Sequence, residues 1–363
     1  VRIMAYTNID DPSAYFQALV YAGTGNSTNQ PTTHTNDGNS DLQPDLIWFK
    51  DRGAGYGHAL VDSTRGRSKY LFPDGVNAEV TTGSTAYDVV SFDSNGFKVG
   101  APSEANSTNG GTTSKVAWQW KANAGTTTAF TESGNNPGGT RQTNTAAGFS
   151  IISYTGTGAP GNIAHGLPSA PEWIIFKNRG TTNVWATWHQ AIGDDVKLVL
   201  NQTAAEDADG SFMNSTLPDA TNIRVGDSNN PNTNADAGTY ICYAWSPIQG
   251  YSKFGSYVGN GNADGTFIYT GFKPAFIMVK TTSLVDEWNI YDTKRSGFNF
   301  HNDALYASSS VVEDAGSTYA FMDIVSNGFK LRRATYSPNK ASTYIYMAFA
   351  ENPFVTSTGI PTT

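Results

Sequence analysis

One pattern of four sequence landmarks recurs three times along this chain, and an internal repeat constrains the fold more than any single motif does. The first landmark is an aromatic strand that ends in Tyr-x-Gly-x-Gly, and the second is a proline followed by an apolar run and a lysine. The first lies at 21–25, 154–158 and 257–261, and the second at 44–50, 171–177 and 274–280.

The third landmark is a pair of short apolar runs joined by Ser-Asn-Gly, and the fourth is a closing aromatic strand. The third lies at 92–99 and 324–331, with a degenerate middle copy at 222–226, and the fourth at 116–120, 240–245 and 344–349. The spacing from the first tyrosine to the lysine is 29, 23 and 23 residues, and from that lysine to the basic residue of the third landmark it is 48, 47 and 50. Landmarks in one order at such similar spacings indicate a triplicated unit.

Each landmark has the composition of a β-strand, because short β-branched and aromatic runs are bounded by turn formers. Ser-Asn-Gly predicts a hairpin turn of type I′, since Asn and Gly tolerate positive φ. Further runs at 184–189 and 197–201 bring the count to about six or seven strands a unit, and no amphipathic helical pattern occurs. The sequence therefore predicts an all-β protein of three tandem β-sandwich modules, of jelly-roll or lectin-like type, from an internal triplication.

The landmarks also set the expected domain boundaries. We expect an N-terminal arm at 1–15 and modules at 16–122, 149–250 and 251–363, the last with a C-terminal tail. The stretch 123–148 is rich in Thr, Gly, Asn and Pro, which predicts a linker or a long surface loop. The arm precedes the first landmark, so we expect it to be free for docking, with its exit direction fixed by Asp10, Asp11 and Pro12.

Composition argues against several classes of function. Charged residues make up only 15% of the chain and the formal net charge is −8, with no cluster of Lys and Arg. Nucleic acid is therefore not an expected partner, because a phosphate backbone is bound through such clusters. No apolar run reaches the roughly 18 residues of a membrane span, so no membrane insertion is expected. The single cysteine, Cys242, lies in an apolar run and is expected to be buried and structural.

The sequence contains no constellation typical of an enzyme. The five histidines are scattered without metal-ligand spacing, and no Gly-x-Ser-x-Gly motif occurs. The acid pair Asp10 and Asp11 precedes a proline and indicates turn chemistry. Neighbouring acids such as Asp194 and Asp195 would point to opposite faces of a strand, which does not suit a glycosidase. We therefore expect neither catalysis nor a cofactor.

Acidic loops are the only candidates for a calcium site. They are Asp227 with Asp236, and the run Glu206, Asp207 and Asp209 before Gly210. In an ordered calcium loop that uses Gly210 as the turn glycine, Ala205 stands where the first acidic ligand belongs. Solvated acidic loops are the favoured interpretation, and no metal is expected.

Carbohydrate recognition is the sharper hypothesis for a binding function. Trp185 and Trp188 share one strand candidate and, three positions apart, point to opposite faces. Trp288 lies eight residues after its landmark lysine, as Trp185 does, which favours a core position for Trp185. Trp188 is then the outward-facing candidate, whose indole would stack on a sugar ring. The alternative is that a neighbouring module covers Trp188.

Four stretches carry a family resemblance. The N-terminus reads Met-Ala-Tyr-Thr-Asn-Ile-Asp-Asp-Pro-Ser-Ala-Tyr-Phe-Gln over 4–17, and further matches lie at 36–46, 62–66 and 348–354. Through them the chain resembles a family of virion and tail-associated proteins of marine and cyanobacterial tailed phages. The resemblance spans essentially the whole chain. It implies a structural component of the particle and supplies no catalytic residues.

These observations predict a non-enzymatic structural protein of the bacteriophage virion, a tail fibre or another tail-associated component. The alternatives are a receptor-recognition protein that binds host-surface glycan, a capsid-decorating (cement) protein and a glycan-cleaving tailspike. The low charge and the many strand edges predict a homo-oligomer such as a cyclic trimer. The expected partners are thus copies of the chain itself and other virion proteins, with host glycan as a further candidate. The expected location is the tail or capsid surface of the phage particle.

Overall fold

The structure, a computed structural model, describes residues 6–25, 31–83, 86–227, 230–316, 321–334 and 337–362. It confirms that the protein is all-β: its sheets are antiparallel, and none of them closes on itself. In the part of the chain that is described, the only helices are a four-residue α-helix and two 3-10 helices, and no helix is long and apolar enough to cross a membrane.

The first unit (16–122) contains a four-stranded and a three-stranded sheet. Its strands are β1 (Phe16–Ala22), β2 (Thr32–Thr35), β3 (Leu46–Asp51), β4 (Ala59–Asp62), β5 (Lys69–Tyr70), β6 (Val80–Thr81), β7 (Val89–Asp93), β8 (Gly96–Val99) and β9 (Ser114–Trp120). The large sheet has the order β1-β9-β3-β4 and the small one β2-β8-β7, while β5 pairs with β6. A 3-10 helix (Pro12–Ala14) precedes β1, and helix α1 (Asn106–Asn109) precedes β9.

The second unit (149–250) shares its large sheet with the segment that precedes it. The strands are β10 (Thr128–Phe130), β11 (Gly139–Asn144), β12 (Phe149–Thr155), β13 (Gly161–Ala164), β14 (Trp173–Asn178), β15 (Trp185–His189), β16 (Val196–Val199), β17 (Asp207–Ala208), β18 (Asn222–Val225) and β19 (Thr239–Trp245). The eight-stranded sheet has the order β10-β11-β12-β19-β14-β15-β16-β17, and β13 pairs with β18. The second 3-10 helix (Gln190–Ile192) follows β15.

The third unit (251–363) contains a five-stranded and a three-stranded sheet. Its strands are β20 (Ser252–Val258), β21 (Phe267–Tyr269), β22 (Phe272–Thr281), β23 (Asn289–Asp292), β24 (Leu305–Tyr306), β25 (Met322–Val325), β26 (Gly328–Leu331) and β27 (Thr343–Pro353). Their orders are β20-β27-β22-β23-β24 and β21-β26-β25. In every unit the large sheet therefore runs from the first-landmark strand through the closing strand and the Pro-to-Lys strand to the strand that follows it.

The register of the large sheets is also alike in the three units. The lysine that ends the Pro-to-Lys run stands opposite an apolar residue of the closing strand in each case. The pairs are Lys50 with Val116, Lys177 with Ile241 and Lys280 with Ile345. These three side chains, the landmark lysines, thus occupy the same place in their sheets.

Both faces of the central strands of each large sheet are buried. One face packs on the small sheet of the same unit, as Phe49 of β3 packs with Phe97 of β8 in the first unit. The other face contributes to one cluster, the central aromatic cluster, that draws on all three units. Alternation along the strand explains the division, since Ala117 lies in the unit's own core and Trp118 in the central cluster.

The closing aromatic residues lie in the central aromatic cluster. Trp120, Trp245 and Phe349 are 2%, 3% and 0% exposed. The ring centroids of Trp120 lie 6.3 Å from Trp245 and 5.7 Å from Phe349, in edge-on geometry. These residues therefore join the three units to one another rather than filling a single module.

The landmark lysines link the units in a closed cycle. Each is fully buried, and each donates from Nζ to main-chain carbonyls, one of which belongs to another unit. The contacts between units are Lys50 to Ser310, Lys177 to Val76 and Lys280 to Thr203, each at 3.1 Å. The first unit thus binds the third, the second binds the first and the third binds the second. Burial lowers the pKa of each lysine to about 8.

A second side chain crosses the same boundaries eight residues after each landmark lysine. The indole of Trp185 donates to Phe72 at 2.9 Å, and that of Trp288 donates to Val199 at 3.0 Å. In the first unit the position is His58, whose Nε2 lies 3.0 Å from the Tyr306 carbonyl. Residues that the repeat aligns therefore make equivalent contacts between units.

His58 is held as a neutral imidazole. Its Nδ1 accepts a hydrogen bond from the Trp48 indole at 2.8 Å, so the proton sits on Nε2, which faces main-chain carbonyls. Burial, together with the nearby positive charge of Lys50, lowers the pKa of His58 to about 3.

Buried ion pairs reinforce two of the three boundaries. Arg65 binds Asp62, whose carboxylate also accepts from the Tyr243 hydroxyl of the second unit at 2.7 Å. The equivalent pair in the third unit is Arg295 with Asp292, and the Asp292 carboxylate accepts from the Trp118 indole of the first unit at 2.9 Å. At the remaining boundary the equivalent positions hold His189, Ile192 and Met347, so that contact is uncharged.

Two sequence-based expectations about connections are wrong. Residues 123–148 are not only linker, because β11 pairs along β12 and β10 pairs with β11. Residues 6–15 are not a free arm: Ile9 is buried in the central aromatic cluster, and Tyr6 donates to Gly271 of the third unit at 2.8 Å. Residues 1–5 of the predicted arm lie outside the described part of the chain.

The hairpin at Ser94 and Asn95 forms, but positive φ occurs at Gly96 (113°) rather than at the two turn residues, so the turn is not type I′.

The central aromatic cluster should dominate stability. We expect Trp245→Ala to lower the free energy of unfolding by about 3–5 kcal/mol, because it leaves a large cavity among three sheets. Phe267→Ala, at a side chain that is 45% exposed, is the control and should cost less than about 1 kcal/mol. Denaturant unfolding of both variants measures this, and a nearly neutral Trp245→Ala would contradict the role of the cluster.

Acid should destabilise the boundary between the first and third units through His58. The folded pKa of about 3 lies below the ordinary 6.5, so the unfolded chain binds more protons between these values and stability falls as pH falls through that window. His58→Gln keeps an acceptor for Trp48 and a donor for the carbonyls but does not titrate. We expect its stability to depend less on pH below 6.5 than that of the wild type, as measured by thermal unfolding across the window. Parallel pH profiles would show that His58 does not contribute.

Candidate functional site

A cleft of about 400 Å³ opens between the first and third units. One wall is the start of β1, from Phe16 to Ala18, with the loop 37–39. The facing wall consists of residues of the third unit, chiefly Lys273, Ala275 and the loop 293–301. The cleft is therefore built by the contact of two units and exists in neither alone.

Strand β1 presents an unpaired edge to this cleft. It is the terminal strand of its sheet and pairs only with β9. The Lys121 N–H donates to the Tyr15 carbonyl at 3.0 Å, so odd-numbered residues of this strand turn their main-chain groups toward β9. The N–H and C=O groups of Phe16 and Ala18 consequently point away from the sheet, toward the cleft. Among the described residues, no strand pairs with this edge.

The charged side chains at the cleft form two ion pairs, and the two partners of each pair neutralise each other. Lys294 of the third unit binds Asp37 of the first at 2.9 Å, and Lys273 binds Glu351 at 2.9 Å. All four side chains are partly exposed, so each pair contributes little to stability. Their effect is to leave a cleft that is polar but has no net charge.

Two buried side-chain atoms at the cleft have no hydrogen-bond partner among the described residues. They are Nδ1 of His301, a residue that is 4% exposed, and Oε2 of Glu351. Burial lowers the pKa of His301, so its imidazole is neutral and one ring nitrogen carries a free lone pair. Buried polar atoms are usually satisfied, so two unpaired ones at an open cleft can bind hydrogen-bonding groups of another molecule.

The buried guanidinium of Arg295 holds the wall formed by 293–301 in place. This guanidinium binds the Asp292 carboxylate at 2.6 Å, the Asp303 carbonyl at 3.0 Å and the Ile290 carbonyl at 2.8 Å. It also binds Glu313 at 2.7 Å, and that carboxylate is held in turn by Arg52 of the first unit. The wall is therefore fixed relative to both units.

The same loop carries exposed aromatic residues beside the cleft. Phe298 is 89% exposed and Phe300 is 52% exposed, with the Phe300 ring 4.7 Å from that of Phe321. Exposed apolar side chains that lie together commonly mark a surface that contacts another molecule, whereas single ones are normal.

The candidate for glycan stacking lies elsewhere and is buried. Trp188 is 2% exposed within the core of the second unit, and its indole donates to the Gly193 carbonyl at 2.6 Å. The expected outward orientation of Trp188 is therefore wrong, and Trp185 is buried as well. All eight tryptophans are buried, so no indole of this chain offers a face to a sugar ring.

The acidic candidates are used for structure. Asp11 caps the first 3-10 helix, as the prediction of turn chemistry requires. Asp207 and Asp209 both bind Lys197 Nζ, at 2.8 and 2.5 Å. Across the described residues, which include Asp227 and Asp236, no three His, Cys, Asp or Glu side chains are grouped so that they could hold a metal ion. Cys242 is buried, as expected.

Sequence reasoning missed the cleft, although the repeat contains a signal for it. Thr293 lies 13 residues after its landmark lysine, in the position held by Ser63 in the first unit and Gln190 in the second. In all three units the N–H of this residue donates to the carbonyl five residues before the lysine, at 2.8 to 3.1 Å. Comparing the three aligned residues would have marked the position as one where the units differ.

Residues 11–353 match the family described as a domain of unknown function, DUF7483, and the chain belongs to that family. No curated protein and no solved structure is similar to the chain. The family's description names no activity.

Arg295 should be critical for the wall of the cleft. We expect Arg295→Leu to cost about 3–5 kcal/mol, because Asp292 would remain buried as an unpaired charge. Arg332→Leu breaks the exposed ion pair with Asp323 and should cost no more than about 1 kcal/mol. Chemical denaturation of the two variants compares them, and equal losses would rule out a special role for the buried pair.

Proposed function

We propose that this chain is a non-enzymatic structural protein of a bacteriophage particle, a tail-associated building block made of three copies of one β-sandwich module. The observation that carries the proposal is the closed cycle of contacts among three units around one aromatic cluster. Such a cycle holds the three units as one block. A block with neutral polar surfaces suits a particle component that must stay folded outside a cell.

A buried asparagine supports the idea that the units are copies of one module. In each unit its Oδ1 accepts from the N–H of the residue three positions after the first-landmark tyrosine. The pairs are Asn109 with Thr24 at 2.9 Å, Asn234 with Thr157 at 2.9 Å and Asn339 with Asn260 at 3.1 Å. The landmark tyrosine also donates to the carbonyl before that asparagine in all three units. Unrelated sandwiches have no reason to repeat this arrangement.

The alternatives receive less support from the site. A glycan-cleaving tailspike needs two carboxylates free to act as acid and base or nucleophile, whereas Asp37 and Glu351 at the cleft are each paired with a lysine. A glycan-binding receptor protein would have to bind without an exposed indole. A capsid-decorating protein could use the same block, so location has to be measured.

Purified particles provide the test. We expect peptides of this chain in particles banded by density gradient, at a fixed copy number relative to the major capsid protein, and gold-labelled antibody on the tail. A non-structural protein of the same phage is the control and should be lost on purification. Label on the capsid would favour the decorating role. Recovery of the chain only from the soluble lysate would contradict a structural role.

The proposed partners are copies of the chain and other virion proteins. The low proportion of charged side chains weakens repulsion between subunits. Sedimentation at micromolar concentration measures self-association, with a cyclic trimer as the expected species. A monomer at all concentrations would leave only the other virion proteins as partners.

A further inference from the structure

The outer edge of the first-landmark strand has different surroundings at each of the three boundaries between units. At each boundary the outer edge of a first-landmark strand (β1, β12 or β20) faces another unit. The facing residue in that unit is the one 13 positions after its landmark lysine. These residues are Ser63 opposite β12, Gln190 opposite β20 and Thr293 opposite β1.

At the boundary between the second and first units, the edge is covered by a strand of the chain itself. Strand β11 pairs antiparallel along β12, with Gln142 opposite Ile151. The side-chain amide of Gln142 then donates across the boundary to Ser63 at 2.9 Å and to Thr64 at 2.7 Å. The strand is thus held both by the edge of one unit and by two hydroxyls of the other.

At the boundary between the third and second units, a side chain takes the place of the strand. The amide of Gln190 donates directly to the Phe254 carbonyl of β20 at 3.0 Å. Phe254 lies three residues before the landmark tyrosine, as Ile151 and Ala18 do in their units. A glutamine amide therefore lies at this boundary too, and here it caps the edge itself.

At the boundary between the first and third units, no strand of the described residues pairs with the equivalent edge. Phe16 and Ala18 of β1 line the cleft in the positions that correspond to Phe149 and Ile151 of β12. On the opposite wall, Thr293 and Lys294 correspond to Ser63 and Thr64, the residues that hold Gln142. The cleft is thus the counterpart of the place that β11 occupies at the neighbouring boundary.

We propose that this cleft binds an extended polypeptide strand of another molecule, which pairs antiparallel with β1 and places a glutamine-like side chain opposite Ala18. Edge strands recruit extended peptides in this way, with main-chain hydrogen bonds for affinity and side-chain contacts for specificity. Because the cleft has no net charge, the incoming strand is uncharged or nearly so, as β11 (Gly-Thr-Arg-Gln-Thr-Asn) is apart from one arginine.

The unpaired polar atoms of the cleft fit such a strand. His301 Nδ1 and Glu351 Oε2 have no partner among the described residues, and a peptide strand supplies both N–H and C=O groups at regular spacing. The exposed rings of Phe298 and Phe300 lie on the same loop and would pack on the aliphatic parts of the incoming side chains. The inference goes beyond the proposed function, in which the donor would be a neighbouring subunit, and it can be tested whether or not the chain resides in a particle.

The test uses the full chain and a synthetic peptide with the sequence of residues 137–146, which contains β11, with blocked termini and a fluorescent label. Anisotropy reports binding, and hydrogen exchange read by mass spectrometry reports where the peptide lies. We expect saturable binding and slower exchange at Phe16–Ala18. The same peptide with proline in place of its glutamine should not bind, because it can neither donate nor stay extended in the ladder.

Two substitutions in the chain place the site. Ala18→Pro removes an N–H that points into the cleft and should weaken binding at least about tenfold, whereas Ala22→Pro, with the same orientation but beyond the cleft, should change it less than about twofold. Thr293→Gln copies Gln190 and should close the edge and abolish binding, while Thr293→Ser copies Ser63 and should preserve it. Because Thr293→Gln adds a hydrogen bond, its melting temperature should not fall, which separates loss of binding from loss of folding.

Several outcomes would overturn the proposal. One is the absence of binding to the wild type at millimolar peptide, and another is binding that responds to none of these substitutions. Slower exchange at Phe16–Ala18 with neutral oligosaccharides but not with the peptide would make the cleft a glycan site instead. Absence of the chain from particles, by contrast, would refute the proposed function and leave the strand-binding result standing.

Discussion

The packing of three large sheets against one aromatic cluster is the constraint on which the rest of the structure depends. It requires the closing strand of each unit to be buried on both faces, which is why these strands read as nearly continuous apolar and aromatic runs. It also buries main-chain carbonyls and the landmark lysines in the boundaries between units. Each lysine donates to such carbonyls, and these bonds are required because a buried ammonium group without acceptors would be too costly.

The sequence predicted the elements that this packing repeats. The Pro-to-Lys strands, the closing strands and the all-β class follow from short β-branched and aromatic runs that are bounded by turn formers. Local composition, however, could not assign β10 and β11. Their Thr-, Gly- and Asn-rich sequence is typical of a loop, and they are strands because the edge of β12 supplies partners for their main chain.

Contacts between distant segments explain the remaining misjudgements. Trp188 alternates with a core residue as an outward-facing side chain would, yet the small-sheet side of the second unit covers it, so both faces of that strand are buried. The segment before β1 has no repeat counterpart and looked free, but Ile9 fills space in a cluster that exists only once three units meet. The cleft was not predicted for the same reason, since its two walls lie more than 230 residues apart in sequence.

What sets the first and third units' boundary apart is a departure from the repeat. Two edges are closed by β11 and Gln190, whereas no strand of the described residues pairs with the outer edge of β1, and the paired charges of Lys294 and Lys273 lie beside it. Lysines near a bare edge are a common defence against unwanted strand pairing, and they have the advantage of being movable. A flexible lysine that is already neutralised by a weak surface ion pair can swing aside when a strand of the right chemistry enters. The same exposed edge can therefore discourage pairing with chance partners and still bind a specific strand. Both properties follow because the charges beside it are paired but not buried.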